Sequence, residues 1–332
     1  MNFDIYIKDA WFYIGLAMFF ASSLKDIKIV RSVTIFLFSS FCIVASLKSE
    51  FINQDIKNYI IHFVTVKNGG GEAFDLFAGG FEPGYNLIAY ILSIFSDKQL
   101  YLFLITAIPS AIFIWQFVKY KYSPSIIFYI YTTIILVSST AIVRHYFSMA
   151  LAFVVLNRII LDGKKGGGLL FIPALFHFSS ILLIFSLLID GIRHNPHWYK
   201  ITGVFVFLFI AFFGMEFIHY LILKAEDRIS GGALQSGGMR SILNLLLVFL
   251  LLYSTSKFSI VKKRMKLLLW ISISISIALI PFYGLNRVTS FFSLVIMVFF
   301  YKYQKERVVN WGLSLISLSS LVFFYLKHSI LG

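Results

Sequence analysis

Long apolar runs separated by short basic loops leave this chain few folds to choose from. Residues 11–23, 33–47, 100–118, 126–143, 169–189, 201–213 and 267–283 are almost wholly apolar. They approach or reach the roughly 20 residues that a helix needs to cross about 30 Å of hydrocarbon. No water reaches the backbone inside lipid, so each run must satisfy its own N–H and C=O groups, as a helix does. Composition agrees, with 59% of the 332 residues hydrophobic and a mean hydropathy of +0.86. The expectation is an all-α, polytopic integral membrane bundle of about ten transmembrane helices, one membrane domain over residues 1–332.

Charge then sets the orientation. The chain carries 29 Lys and Arg against 15 Asp and Glu, a net charge of +14. On a soluble protein such an excess would point to nucleic acid. Here 15 of the 29 cations fall in five short loops, at residues 25–31, 119–121, 164–165, 257–266 and 302–307. Cations gathered in this way mark the cytoplasmic side of a membrane protein, so the basicity reports topology and not nucleic-acid binding. Cys42 is the single cysteine and lies within an apolar run, which excludes an internal disulfide. Residues 1–10 carry Asp4, Lys8 and Asp9 in place of a basic leader, so the first helix is expected to be retained.

With residues 25–31 inside, residues 48–84 are external. They hold five acids (Glu50, Asp55, Glu72, Asp75 and Glu82) against three lysines, and glycines at 69–71 and 79–80 break them into irregular backbone. Residues 85–95 are too short to span and either lie on the surface or re-enter. The run at 100–118 descends to Lys119, and the next one rises to Arg144. Further on, parity requires residues 257–266 inside and 224–240 outside. Two full spans between Lys165 and Lys224 would reverse this, so one segment is broken. Residues 169–189 are the expected place, because Pro173 removes a helix hydrogen bond and Gly166–Gly168 loosen the start. The alternative is that Lys164 and Lys165 are external.

Three arginines, Arg144, Arg240 and Arg287, fall at external ends of spans on this threading. A lone arginine there commonly snorkels to lipid phosphates. Three on one face fit a shared anion, since a guanidinium fork binds phosphate bidentately and stays charged at any working pH. Proton acceptors near that face are Glu82, Asp55 and His177. Glu82 stands at a Pro83–Gly84 turn that feeds an apolar helix and is the first choice of base, with His177, in the suspected broken segment, the second. No Asp-x-Asp pair, P-loop, Gly-x-Ser-x-Gly elbow or His/Cys cluster appears, so neither a metal nor a cofactor is expected.

Taken in order, these residues resemble the EpsG-like branch of the O-antigen and exopolysaccharide polymerases, often called Wzy. Asp55 followed by Tyr59 matches an early external Asp–Tyr pair, and Glu82, Gly84 and Tyr85 match a Glu-x-Gly-Tyr turn. Arg144, His145 and Ala150 match an Ile-Arg-Gln-x-x-Ala stretch, with His145 where the family usually has Gln. Phe176, His177 and Ser179 match a Phe-His-x-Ser box, and Arg287 matches a late arginine at a span start. The resemblance covers residues 55–292.

It implies a helical bundle like the GT-C-type membrane glycosyltransferases that use polyprenyl donors. It also implies a multi-pass protein of the bacterial inner membrane whose site faces the periplasm. The substrates would be undecaprenyl-diphosphate-linked oligosaccharides, joined into lipopolysaccharide or another polysaccharide, with Tyr59, Tyr85 and His145 as glycan contacts. Membrane lipids, a flippase and a chain-length regulator would be its partners. Two rival readings use the same lipid-linked glycan. A flippase would need cations through the full membrane depth, and an O-antigen ligase tends to carry a larger late periplasmic loop than residues 224–240.

Overall fold

The computed structural model describes residues 3–24, 28–47, 54–69, 81–136, 143–164, 167–177, 180, 183, 286–303, 313–322 and 325. Among them every regular element is helical: α1 (Phe3–Ser23), α2 (Lys28–Ser46), α3 (Gln54–Asn68), α4 (Pro83–Phe95), α5 (Lys98–Tyr120), α6 (Pro124–Ile130), α7 (Val143–Ile160), α8 (Asn286–Tyr303) and α9 (Leu313–Val322). Helix α6 continues into a π-helical turn, Tyr131–Ile135. Three of the described helices, α2, α5 and α7, are long and apolar enough to cross a membrane. Residues 201–213, 224–240 and 267–283, for which the sequence reading expected two spans and an external loop, lie outside the described residues.

The helices present to lipid what a soluble protein would hide. On α2, Ile29, Val33, Phe36, Ile43 and Leu47 form an exposed apolar stripe at helical spacing, while Phe38, Phe41, Cys42 and Ala45 are buried. An uncovered stripe of that size is a liability in water and an ordinary surface in a bilayer. Hydroxyls are satisfied locally, as hydrocarbon requires: Thr34, Ser39, Ser46 and Ser110 each donate to the carbonyl four residues back.

Aromatic side chains fix the order of packing. Helix α2 lies between α1 and α5, through Trp11 against Phe41 and Phe38 against Phe117. Helix α5 meets α7 through Phe113 with Tyr146 and Phe153. Helices α7 and α8 run parallel, since His145 meets Phe291 near one end and Ile160 accepts a hydrogen bond from Lys302 at the other. Helix α9 runs antiparallel to α1, with Ser314 bonded to Ser22 and Leu321 against Gly15. A smaller second core joins α3 and α4 to the starts of α5 and α7, through Ile56, Tyr59, Phe63, Tyr85, Tyr101 and Val143.

The bundle therefore has two unlike ends. Lys119, Lys121, Asp162, Lys164 and Lys302 share one, tied by Tyr120 to Asp162 and by Tyr301 to the carbonyl of Tyr120. The starts of α4, α5, α7 and α8 share the other.

Two local features bear on the expectations. Within residues 48–84, α3 is a regular helix and not irregular backbone. Ile56, Tyr59, Ile60 and Phe63 recur at helical spacing and are buried on one face, which outweighs the polar residues between them. In the described part of residues 169–189, the chain makes a 3₁₀ turn at Gly167–Leu170 and one helical turn at Phe171–Ala174, then leaves the helix.

Candidate active site

Glu82 is the N-cap of α4, in extended conformation, and Pro83 opens the helix with a preset φ. The carboxylate makes no capping bond, so it is spared for other partners. Gly84 then brings its backbone N–H to the carbonyl of Leu175, 2.7 Å away. On the other side of the same broken segment, Ser148 of α7 donates to the carbonyl of Pro173 at 2.8 Å. The carbonyls of Leu175 and Pro173, in the turn where the helix stops, thus tie the segment carrying His177 to α4 and α7.

Glu82 receives two partners there. Arg144, in the first turn of α7, pairs its guanidinium with Oε2, and His177 Nδ1 lies 3.1 Å from Oε1. The Glu82 and Arg144 side chains are only 4% and 16% exposed, so little water competes for the pair. Burial alone would raise the Glu82 pKa. The His177 hydrogen bond and the Arg144 charge outweigh that and hold the carboxyl well below its ordinary range. The Arg144 guanidinium also lies over aromatic rings, 4.7 Å from the centroid of Phe81 and 5.8 Å from that of Tyr59.

The structure thus gathers Glu82, Arg144 and His177 in one cluster, from positions 62 and 95 residues apart in the chain. His145 is buried beside them, its ring edge-on to His177 at 5.1 Å and to Phe291 at 4.9 Å. Tyr59 and Tyr85 pack together behind Arg144, and Tyr85 is fully buried with its hydroxyl bonded to that of Tyr101. Asp55 falls in the first turn of α3, four residues before Tyr59, and Arg287 at the start of α8, four before Phe291. Arg240 lies outside the described residues.

The sequence alone did not single out His62, which belongs to the neighbourhood. His62, one turn after Tyr59, packs its ring 4.4 Å from Phe81 and interacts with Asn86 of α4. Burial lowers its pKa, with the Asn86 bond opposing and the Arg144 charge adding to the effect, which favours a neutral imidazole. The available signal was spacing: Tyr59, His62 and Phe63 share one face of a helix.

Gly84 has no room for a side chain. A Cβ there would stand 2.8 Å from the Leu175 carbonyl oxygen and 3.0 Å from the Phe176 ring. The first obstacle is backbone, so it cannot rotate away. Gly84→Ala is expected to push Leu175 and His177 from Glu82 and to cost on the order of 1–3 kcal/mol of stability. Thermal inactivation in detergent, compared with a Tyr90→Phe control, measures it.

The model of the EpsG family matches residues 30–331 of the chain. No curated protein and no solved structure matches it.

Proposed function

The chain belongs to the EpsG family, and on that premise we propose that it is a membrane glycosyltransferase that polymerises lipid-linked oligosaccharide repeats for O-antigen or exopolysaccharide. It would act at the periplasmic face of the bacterial inner membrane. The growing glycan leaves its undecaprenyl diphosphate and passes to a hydroxyl of a newly flipped, undecaprenyl-diphosphate-linked repeat. The bond between anomeric carbon and diphosphate oxygen breaks, a glycosidic bond forms, and the acceptor proton goes to a base.

The observation that carries this reading is the buried Glu82–Arg144–His177 cluster at the end of the bundle opposite the basic loops. Arg144 supplies a fixed guanidinium for the charge that develops on the departing diphosphate. Of the two proton acceptors in the cluster, Glu82 and His177, the histidine is the better base. A carboxylate engaged twice and held below its usual range accepts protons poorly, whereas an imidazole whose Nδ1–H is donated to a carboxylate presents Nε2 in the right tautomer. Glu82 then positions His177 and Arg144 together. In this reading Arg240 and Arg287 share the diphosphate, Asp55 and His145 meet the glycans, and Tyr59 and Tyr85 back the arginine. About ten spans in a GT-C-like bundle would give both lipid substrates lateral entry, with a flippase upstream and a chain-length regulator alongside.

Two measurements test the proposal. Purified protein given one lipid-linked repeat should yield a ladder of longer products, whereas a flippase makes no new bond and a ligase no ladder. For the face, cysteines replace Asn68, beside the site end, and Lys164, at the basic end, in a Cys42→Ser background. Both positions are exposed. Asn68→Cys should react with an impermeant thiol reagent in intact spheroplasts and Lys164→Cys only after permeabilisation. The opposite pattern would place the cluster in the cytoplasm.

A further inference from the structure

Arg144 stands in the first turn of a membrane helix, and lipid headgroup phosphates crowd the interface where such turns emerge. A guanidinium there binds phosphodiesters readily, so an open arginine would be filled by phospholipid before a scarce diphosphate arrived. In this structure it is not open: Glu82 already occupies it as an internal anion, bridged on its other oxygen to His177.

Resting on the reading of Arg144 as a diphosphate ligand, we propose that Glu82 sets the anion specificity of the site, keeping phospholipid phosphodiesters off Arg144 while yielding to a diphosphate. A phosphodiester carries one negative charge, no more than the carboxylate it must replace. Beside Glu82 it meets like-charge repulsion, and displacing Glu82 strands a carboxylate in buried surroundings. A lipid diphosphate brings at least two charges to the same guanidinium and outcompetes the carboxylate. The displaced carboxylate keeps its contact with His177 Nδ1, so the imidazole holds the tautomer that presents Nε2.

The test uses the full chain in a non-ionic detergent free of phospholipid, with farnesyl diphosphate as probe and phosphatidylglycerol as competitor. With the natural sequence, phosphatidylglycerol should shift the farnesyl diphosphate Kd by less than about twofold. With Glu82→Gln it should raise the Kd by about tenfold or more, because a neutral amide cannot repel the headgroup. Should Glu82→Gln fail to fold, the natural sequence still decides, because a shift of about tenfold or more by phosphatidylglycerol there overturns the specificity role. Equal competition by phosphatidylglycerol in both proteins overturns it too and leaves the polymerase reading standing. Failure of the unaltered protein to bind farnesyl diphosphate at all removes the diphosphate role of Arg144, and this inference with it.

Discussion

Glu82→Ala is expected to destabilise the protein by on the order of 3–5 kcal/mol and to abolish polymer formation. The alanine leaves the Arg144 guanidinium with two aromatic rings in place of its counter-charge, and a buried charge stripped of its partner costs far more than the intact pair contributes. Arg144→Ala is the mirror case, leaving a carboxylate held by His177 alone. The double variant Glu82→Ala/Arg144→Ala should be less destabilised than the sum of the singles, because neither charge is then stranded. Urea or thermal inactivation of the detergent-solubilised proteins reads all three. Single-variant losses under about 1 kcal/mol would mean a solvated pair, and the cluster would not be the buried site argued above. Acid gives the same contrast without mutation. Glu82 titrates below its ordinary value in the folded protein, so its contribution is complete above the ordinary carboxylate range. It is lost as the pH falls through the lowered value, and Glu82→Gln should flatten that acid limb.

The membrane-crossing helices were legible because hydropathy is a local property. Helices α2 and α5 fall where apolar runs predict them, give or take a few residues. Pro173 and the glycines before it mark residues 169–189 as broken, and the helical turn there ends at Ala174; the Glu82–Pro83–Gly84 turn marks the start of α4. Helix α3 was missed for the opposite reason. Its buried face has the helical period, but Asp55, Lys57, Asn58 and Lys67 keep its mean hydropathy low, so a reading tuned to lipid-facing spans passes over it. At the site, residue types and their end of the bundle were readable, whereas their pairing was not. Spacing in the chain holds no record that Arg144 would reach back 62 residues to Glu82, or that Gly84 would abut Leu175. Taken one at a time, Arg144 suits a diphosphate ligand and Glu82 a base. Their contact makes Glu82 a partner first and a proton acceptor second.

That reassignment makes His177 the position where chemistry and stability should separate. Replacing its imidazole with alanine removes one hydrogen bond to Glu82 but leaves the Glu82–Arg144 pair, so the protein should stay folded and still bind farnesyl diphosphate within a few-fold of the unaltered affinity. Turnover should nevertheless fall about 10²–10⁴-fold, the usual contribution of a positioned proton-transfer group. Adding Glu82→Gln to His177→Ala should lower turnover little further, since a residue that acts through the imidazole has nothing left to position. Single-turnover transfer from a lipid-linked donor to a soluble acceptor glycan isolates the chemical step from lipid exchange and release. A His177→Ala protein that transfers at near-normal rate while Glu82→Gln is inactive would return the base to the carboxylate. A drop in both that also abolishes farnesyl diphosphate binding would mean that His177 holds the site together and moves no proton.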